Sequence, residues 1–143
     1  MKRVWIGAVA ALSMLAAGAA SAATEHFDAT LKGASEVPAT DSKGTGKVSA
    51  TLDTATKALS YTVSYSGLTG PATMAHFHGP AAPGANAGVQ VPVPTGSLAS
   101  PMKGMATLSD AQITDLEGGK WYFNIHTAAH PGGEVRGQVT KAK

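Results

Sequence analysis

The chain has 143 residues, with 11 basic and 9 acidic side chains, a formal net charge of +2 and no cysteine. The lack of thiols excludes disulfide bonds, thiolate zinc sites, iron–sulfur clusters and blue-copper centres of the His₂Cys type. The charges form no basic stripe, so the composition argues against a nucleic-acid partner.

Residues 1–22 have the pattern of a secretory signal peptide. Lys2 and Arg3 precede an apolar stretch, and Ala20-Ser21-Ala22 fits the small-x-small rule for cleavage. An uncleaved membrane anchor is the rival interpretation, but the apolar stretch is marginally long and rich in Ala and Gly. We therefore expect a periplasmic or secreted domain, residues 23–143, that carries no net charge and has no membrane attachment after cleavage.

The mature part predicts an antiparallel all-β protein. Apolar and polar side chains alternate over several short segments, which is the period of a half-buried strand. The candidate strands are residues 27–31, 48–52, 59–65, 74–78, 89–93, 121–126 and 134–139. Pro92 and Pro94 either place the fifth candidate at a sheet edge or argue against a strand there, because proline cannot donate a hydrogen bond to a neighbouring strand.

One segment, residues 109–116, predicts a helix that has Ser109 as its N-cap and ends at Gly118-Gly119. Pro131-Gly132-Gly133 predicts a turn between the last two strands. Seven or eight short strands with frequent turns and one short helix predict an antiparallel sandwich or small barrel in a single domain.

Three histidines lie in two of the predicted strands. His76 and His78 are separated by one residue, so their side chains leave the same face of a strand, about 6.6 Å apart along it. Strand packing can bring His126 beside them. Three imidazoles without a thiolate suit a divalent ion with an open coordination position. The sequence thus predicts a metal site, with copper favoured on affinity grounds and zinc as the alternative.

Several other residues extend this hypothesis. His130 is a candidate fourth ligand, although an exposed loop position is the simpler interpretation. Glu134 is expected to fix the loop or to orient a histidine, and Arg136 to pair with Glu134 or to pack. Met74 shares the face of the His-x-His pair, where core packing is favoured over a thioether ligand. The alternative for the histidines is that they bind backbone groups and hold no metal.

The order of the motifs resembles that of a CHRD domain, the module repeated in chordin and found alone in many bacterial exported proteins. The likeness is carried by Glu36-Val37-Pro38 and by residues 75–80, 124–127 and 131–138. It covers nearly all of the mature chain and implies an immunoglobulin-like β-barrel, but it implies no activity. The growth-factor binding associated with the cysteine-rich modules of chordin does not extend to a chain without those modules.

A fainter likeness is to copper–zinc superoxide dismutase, through residues 67–70 before the His-x-His strand and through His126. The second histidine-rich loop, the disulfide and the matching arginine of that enzyme are not found. The sequence therefore favours an exported, metal-binding module over an enzyme. The alternatives are a structural or protein-interaction module without metal and a redox enzyme of the dismutase type. An exposed sheet edge would permit a homodimer or another protein partner.

Overall fold

The computed structural model describes residues 22–143, which form one antiparallel sheet of eight strands. The elements are β1 Thr24–Lys32, β2 Thr45–Asp53, β3 Ala58–Ser66, β4 Ala72–His78, β5 Val89–Pro92, β6 Met102–Thr107, α1 Asp110–Glu117, β7 Trp121–Thr127 and β8 Val135–Lys141. No helix among these residues is long and apolar enough to cross a membrane. The predicted signal peptide lies outside the described residues, apart from Ala22, and stays a prediction.

The sheet curls on itself into a nearly closed barrel. Its strand order is β5-β4-β7-β8-β1-β2-β3-β6, so β5 and β6 are the edge strands. Tyr61 on β3 and Phe77 on β4 lie near opposite edges of the sheet, but their ring centroids are 5.1 Å apart in an edge-to-face contact. The inner faces of the strands therefore meet around one apolar core.

The predicted all-β class is confirmed, including the edge position of β5 and the short helix. The Ser109 side chain accepts a hydrogen bond from the Gln112 amide, and the Gln112 side chain accepts one from the Ser109 amide. This capping box explains where α1 begins. The strand that the sequence analysis missed is β6, which pairs with β3. Its sequence, Met-Lys-Gly-Met-Ala-Thr, alternates weakly and contains Gly104, which weakens a strand signal.

The central strand β7 is buried on both faces. Its inner face packs into the core, as the alternation predicts, with Trp121, Phe123 and Ile125. Tyr122, Asn124 and His126 on the outer face are buried as well, because two loops cover them. The Tyr122 hydroxyl bonds to the backbone of Ala87 in the loop after β4, and His126 bonds to Pro131 in the loop after β7. The candidate site residues lie on this covered outer face.

Candidate metal centre

β4 and β7 bring the three predicted histidines together on the covered face. The strands pair with His76 opposite Asn124 and with Met74 opposite His126, so His76 and His126 are diagonal neighbours. Nδ1 of His76 lies 3.2 Å from Nε2 of His126. One ring nitrogen from each of His76, His78 and His126 lies within 4.8 Å of the other two. The arrangement is compatible with a bound metal ion.

His126 is oriented by the loop that follows β7. Its Nδ1 lies 2.9 Å from the carbonyl oxygen of Pro131. Because a carbonyl oxygen can only accept, Nδ1 carries the hydrogen and donates it. Nε2 therefore has a free lone pair on the side of His76. Metal-binding histidines are commonly held by an outer hydrogen bond of this kind, which sets both tautomer and ring orientation.

His76 is the half-buried member of the group. Burial, followed by the neighbouring His126 and His78 rings, lowers the pKa of His76 to about 4. The ring is therefore neutral at neutral pH, which is the form that binds metal. Without metal, Nδ1–H of His76 donates to Nε2 of His126. An ion between these two nitrogens would replace that hydrogen, which would move to Nε2 of His76.

His78 is held more closely by the protein. Its Nδ1 lies 3.0 Å from the carbonyl oxygen of Ala87, and its Nε2 lies 2.9 Å from Oδ1 of Asn124. The ring stacks on Tyr122 with centroids 4.7 Å apart. Burial lowers the pKa of His78, although the hydrogen bonds to Ala87 and Asn124 oppose that change. A neutral ring has one hydrogen for two oxygens. Nδ1–H donates to Ala87, whose carbonyl can only accept, and Nε2 keeps its lone pair.

Glu36 adds a buried carboxyl group to the same face. It is 5% exposed, and its Oε1 has no hydrogen-bond partner among residues 22–143. Burial raises the pKa of Glu36. The positive charge of Arg136 and a hydrogen bond from Asn124 act in the opposite direction, but burial is the larger effect. A half-turn of the Asn124 amide, which exchanges its donor and acceptor ends, lets Nδ2 donate to the lone pair on Nε2 of His78. In the sequence, Glu36 is distinguished only by the motif Glu36-Val37-Pro38, because no local pattern signals its burial.

Gly133 is required by the close approach of the loop to the side chains of Glu36 and Asn124. Its φ is +125°, a backbone conformation that residues with a side chain rarely adopt. A Cβ atom built there would lie 2.5 Å from Oε1 of Glu36 and 2.8 Å from Nδ2 of Asn124. The second glycine of the Pro131-Gly132-Gly133 turn therefore lets the loop close onto the site.

Glu134 fixes loops at the end of the barrel. It is fully buried and accepts hydrogen bonds from Oγ of Ser42 at 2.8 Å, the amide of Thr69 at 3.0 Å and Oγ1 of Thr127 at 2.7 Å. Oγ1 of Thr69 also donates to it. Burial would raise the pKa of Glu134, but these bonds outweigh it and hold the pKa below its usual range. Of the two expected functions of Glu134, the contacts fit loop fixation and not the orientation of a histidine.

Arg136 packs on the outer face and forms no ion pair with Glu134 within residues 22–143. Its guanidinium carbon lies 3.4 Å from the centroid of the Tyr122 ring. Nη1 donates to Oδ1 of Asn86 at 2.8 Å, and Nη2 donates to the carbonyl oxygen of Ala85. The expectation of a pair with Glu134 is thus corrected to the alternative, a packing contact. Arg136 fastens the loop after β4 over the histidines.

His130 lies outside the group of three histidines. It is half-buried in the loop after β7, where its backbone exchanges hydrogen bonds with Thr127. This loop and residues 37–41 line an open groove of about 510 Å³, and His130 is in its wall. The assignment of His130 as a fourth ligand stays a prediction.

An antiparallel β-barrel whose loops cover a polar, histidine-bearing face has the form of a small binding domain. The CHRD domain family matches residues 27–139, so the chain belongs to this family, as its motifs predict. No curated protein and no solved structure matches the chain.

Proposed function

We propose that this protein binds a transition-metal ion, with copper favoured, through His76, His126 and His78. The main support is the 3.2 Å separation between Nδ1 of His76 and Nε2 of His126. Two nitrogens bound to one ion at 2.0–2.1 Å lie about 2.9–3.4 Å apart for square-planar to tetrahedral angles. The separation of the pair therefore fits two ligands of one ion held between β4 and β7.

His78 is the third ligand for a divalent ion. It exchanges its contact with Asn124 for the metal and keeps the bond to Ala87, which then orients it as Pro131 orients His126. Neutral imidazoles suit copper(II) and zinc(II), and copper(II) has the higher affinity in the usual order of divalent ions. The preference for copper follows from this order.

The same proposal includes export to the periplasm or the medium. Its support is the basic start, apolar stretch and small-x-small site of residues 1–22. Edman sequencing of the protein recovered from the periplasm should begin at Ala23. A chain that retains Met1 would contradict export by a cleaved signal.

Calorimetric titration of the purified protein with copper(II) and zinc(II) tests the site. We expect one ion per chain. His76→Ala combined with His126→Ala should weaken binding more than about a hundredfold, since loss of an outer-shell partner alone costs about 10- to 100-fold. His26→Ala is the matched control, because His26 is exposed on β1 and lies near the expected mature amino terminus. Unchanged binding in the double variant, or loss in His26→Ala, contradicts the site.

A second candidate is a structural or interaction module in which the histidines hold the loops. It is favoured by His78, whose two ring nitrogens already face oxygens of the protein. This candidate predicts that no stoichiometric metal is bound. Metal analysis of protein isolated without added chelator separates the two candidates.

A further inference from the structure

Met74 lies at the solvent end of the histidine-bearing face. It is directly opposite His126 in the pairing of β4 with β7, and it is two residues from His76 on the same face of β4. Directly opposed residues have Cβ atoms about 4.5–5.5 Å apart, and alternate residues of one strand are about 6.6 Å apart. A methionine side chain is long and flexible. The thioether of Met74 is therefore within reach of an ion held by His76 and His126.

The exposure of Met74 shows that it is not a core residue, contrary to the favoured expectation. The residue is 44% exposed, whereas Ala75 and Phe77 on the opposite face are buried. On the outer face, exposure decreases along β4 from Met74 through the half-buried His76 to the buried His78. Met74 thus stands where an ion from solvent would reach the site.

We propose that Met74 is a metal ligand and that it makes the site bind monovalent copper. This inference rests on the proposed function. A thioether is a soft ligand that selects copper(I), whereas imidazole alone also suits zinc and copper(II). Copper(I) bound by His76, His126 and Met74 leaves both hydrogen bonds of His78 in place. The monovalent ion therefore does not require His78 to move, whereas the divalent ion requires His78 to leave Asn124.

The experiment is a competition for copper(I) between the purified full chain and bicinchoninate, under nitrogen with ascorbate to keep the copper reduced. Met74→Leu should weaken copper(I) binding at least about tenfold, since loss of an outer-shell partner alone costs about 10- to 100-fold. It should leave zinc(II) binding unchanged. Leucine has nearly the same volume as methionine, so the fold should be retained. Met105→Leu is the matched control, because Met105 is 71% exposed on the edge strand β6.

X-ray absorption at the copper edge supplies a second measurement. The copper(I) form of the natural protein should show a sulfur neighbour that is absent in Met74→Leu and present in Met105→Leu. Equal copper(I) binding by Met74→Leu and the natural protein, with binding lost in His76→Ala, overturns the ligand assignment and leaves the proposed function standing. Equal binding by all of these variants overturns both.

Discussion

His76 and His126, 50 residues apart in the chain, face each other across β4 and β7 with ring nitrogens 3.2 Å apart. They occupy diagonal positions in the sheet, and the other ring nitrogen of His126, Nδ1, donates a hydrogen bond to the carbonyl oxygen of Pro131. This contact depends on strand register, because a slip of one residue would turn His76 toward the core. The candidate site is therefore a property of the assembled barrel and not of either strand alone.

The metal-free protein should lose stability as the pH falls from about 6.5 toward 4. The unfolded chain protonates His76 at its ordinary pKa, whereas the folded protein holds that pKa at about 4. The unfolded state then binds more protons within this window, so the free energy of unfolding rises with pH across it. His76→Asn should reduce the slope, to which the lowered pKa of His78 also contributes. Urea unfolding in the presence of a chelator at several pH values measures how the free energy of unfolding depends on pH. An unchanged pH dependence in His76→Asn would contradict the burial of the His76 ring.

Glu36→Gln should stabilise the protein at high pH and have little effect at low pH. Burial raises the pKa of Glu36, so the folded state retains a proton that the unfolded chain loses near its ordinary pKa of about 4.5. The stability that comes from this group is present below that value and decreases as the pH rises through the raised pKa. Glutamine keeps the shape and does not titrate. Thermal unfolding at about pH 4 and pH 8 checks this, and a variant that lacks any advantage at the higher pH would argue against a raised pKa of Glu36.

Gly133→Ala should destabilise the fold by about 1–3 kcal/mol from backbone strain, with further loss from the displaced side chains. The added methyl group would meet Glu36 and Asn124. Gly132→Ala is the control, since a Cβ at that position has no atom within 4 Å and its φ is not positive. Denaturant unfolding compares the two variants. Equal losses would contradict a special requirement for glycine at position 133.

Arg136→Lys should loosen the loop that covers His78. Lysine lacks the planar group that stacks on Tyr122 and cannot donate two bonds in the same fork. Amide hydrogen exchange at Ala87, which donates to the Tyr122 hydroxyl at 3.1 Å, should become faster. The amide of Val93, which donates to Ala75, serves as the internal reference. If both amides retain their rates, Arg136 does not hold this loop.

Local patterns in the sequence predicted much of this architecture. Alternation over residues 48–52 and 59–65 predicted the strands β2 and β3, because each strand shows one face to the core. The single residue between His76 and His78 was enough to place both on one face. Ser109 marked the start of α1 through its side-chain chemistry. These features depend on neighbours in the chain, and neighbours are what a sequence shows directly.

The remaining features depend on register and on loops. Whether His126 reaches His76 is decided by the pairing of β4 with β7, and local periodicity cannot indicate that pairing. The bond from His78 to Ala87 needs the loop after β4 to fold back over the sheet. Glu134 and Arg136 are close in sequence, but β8 begins between them at Val135. Glu134 therefore bonds to loops at the end of the barrel, whereas Arg136 packs on Tyr122 at its outer face.

The most direct test of the metal site is anomalous diffraction at the copper edge from crystals of the copper-loaded protein. We expect one peak per chain between β4 and β7, about 2.0–2.1 Å from both Nδ1 of His76 and Nε2 of His126. A peak at His26 or His130, with Nδ1 of His76 and Nε2 of His126 still hydrogen-bonded to each other at 3.2 Å, would contradict the site.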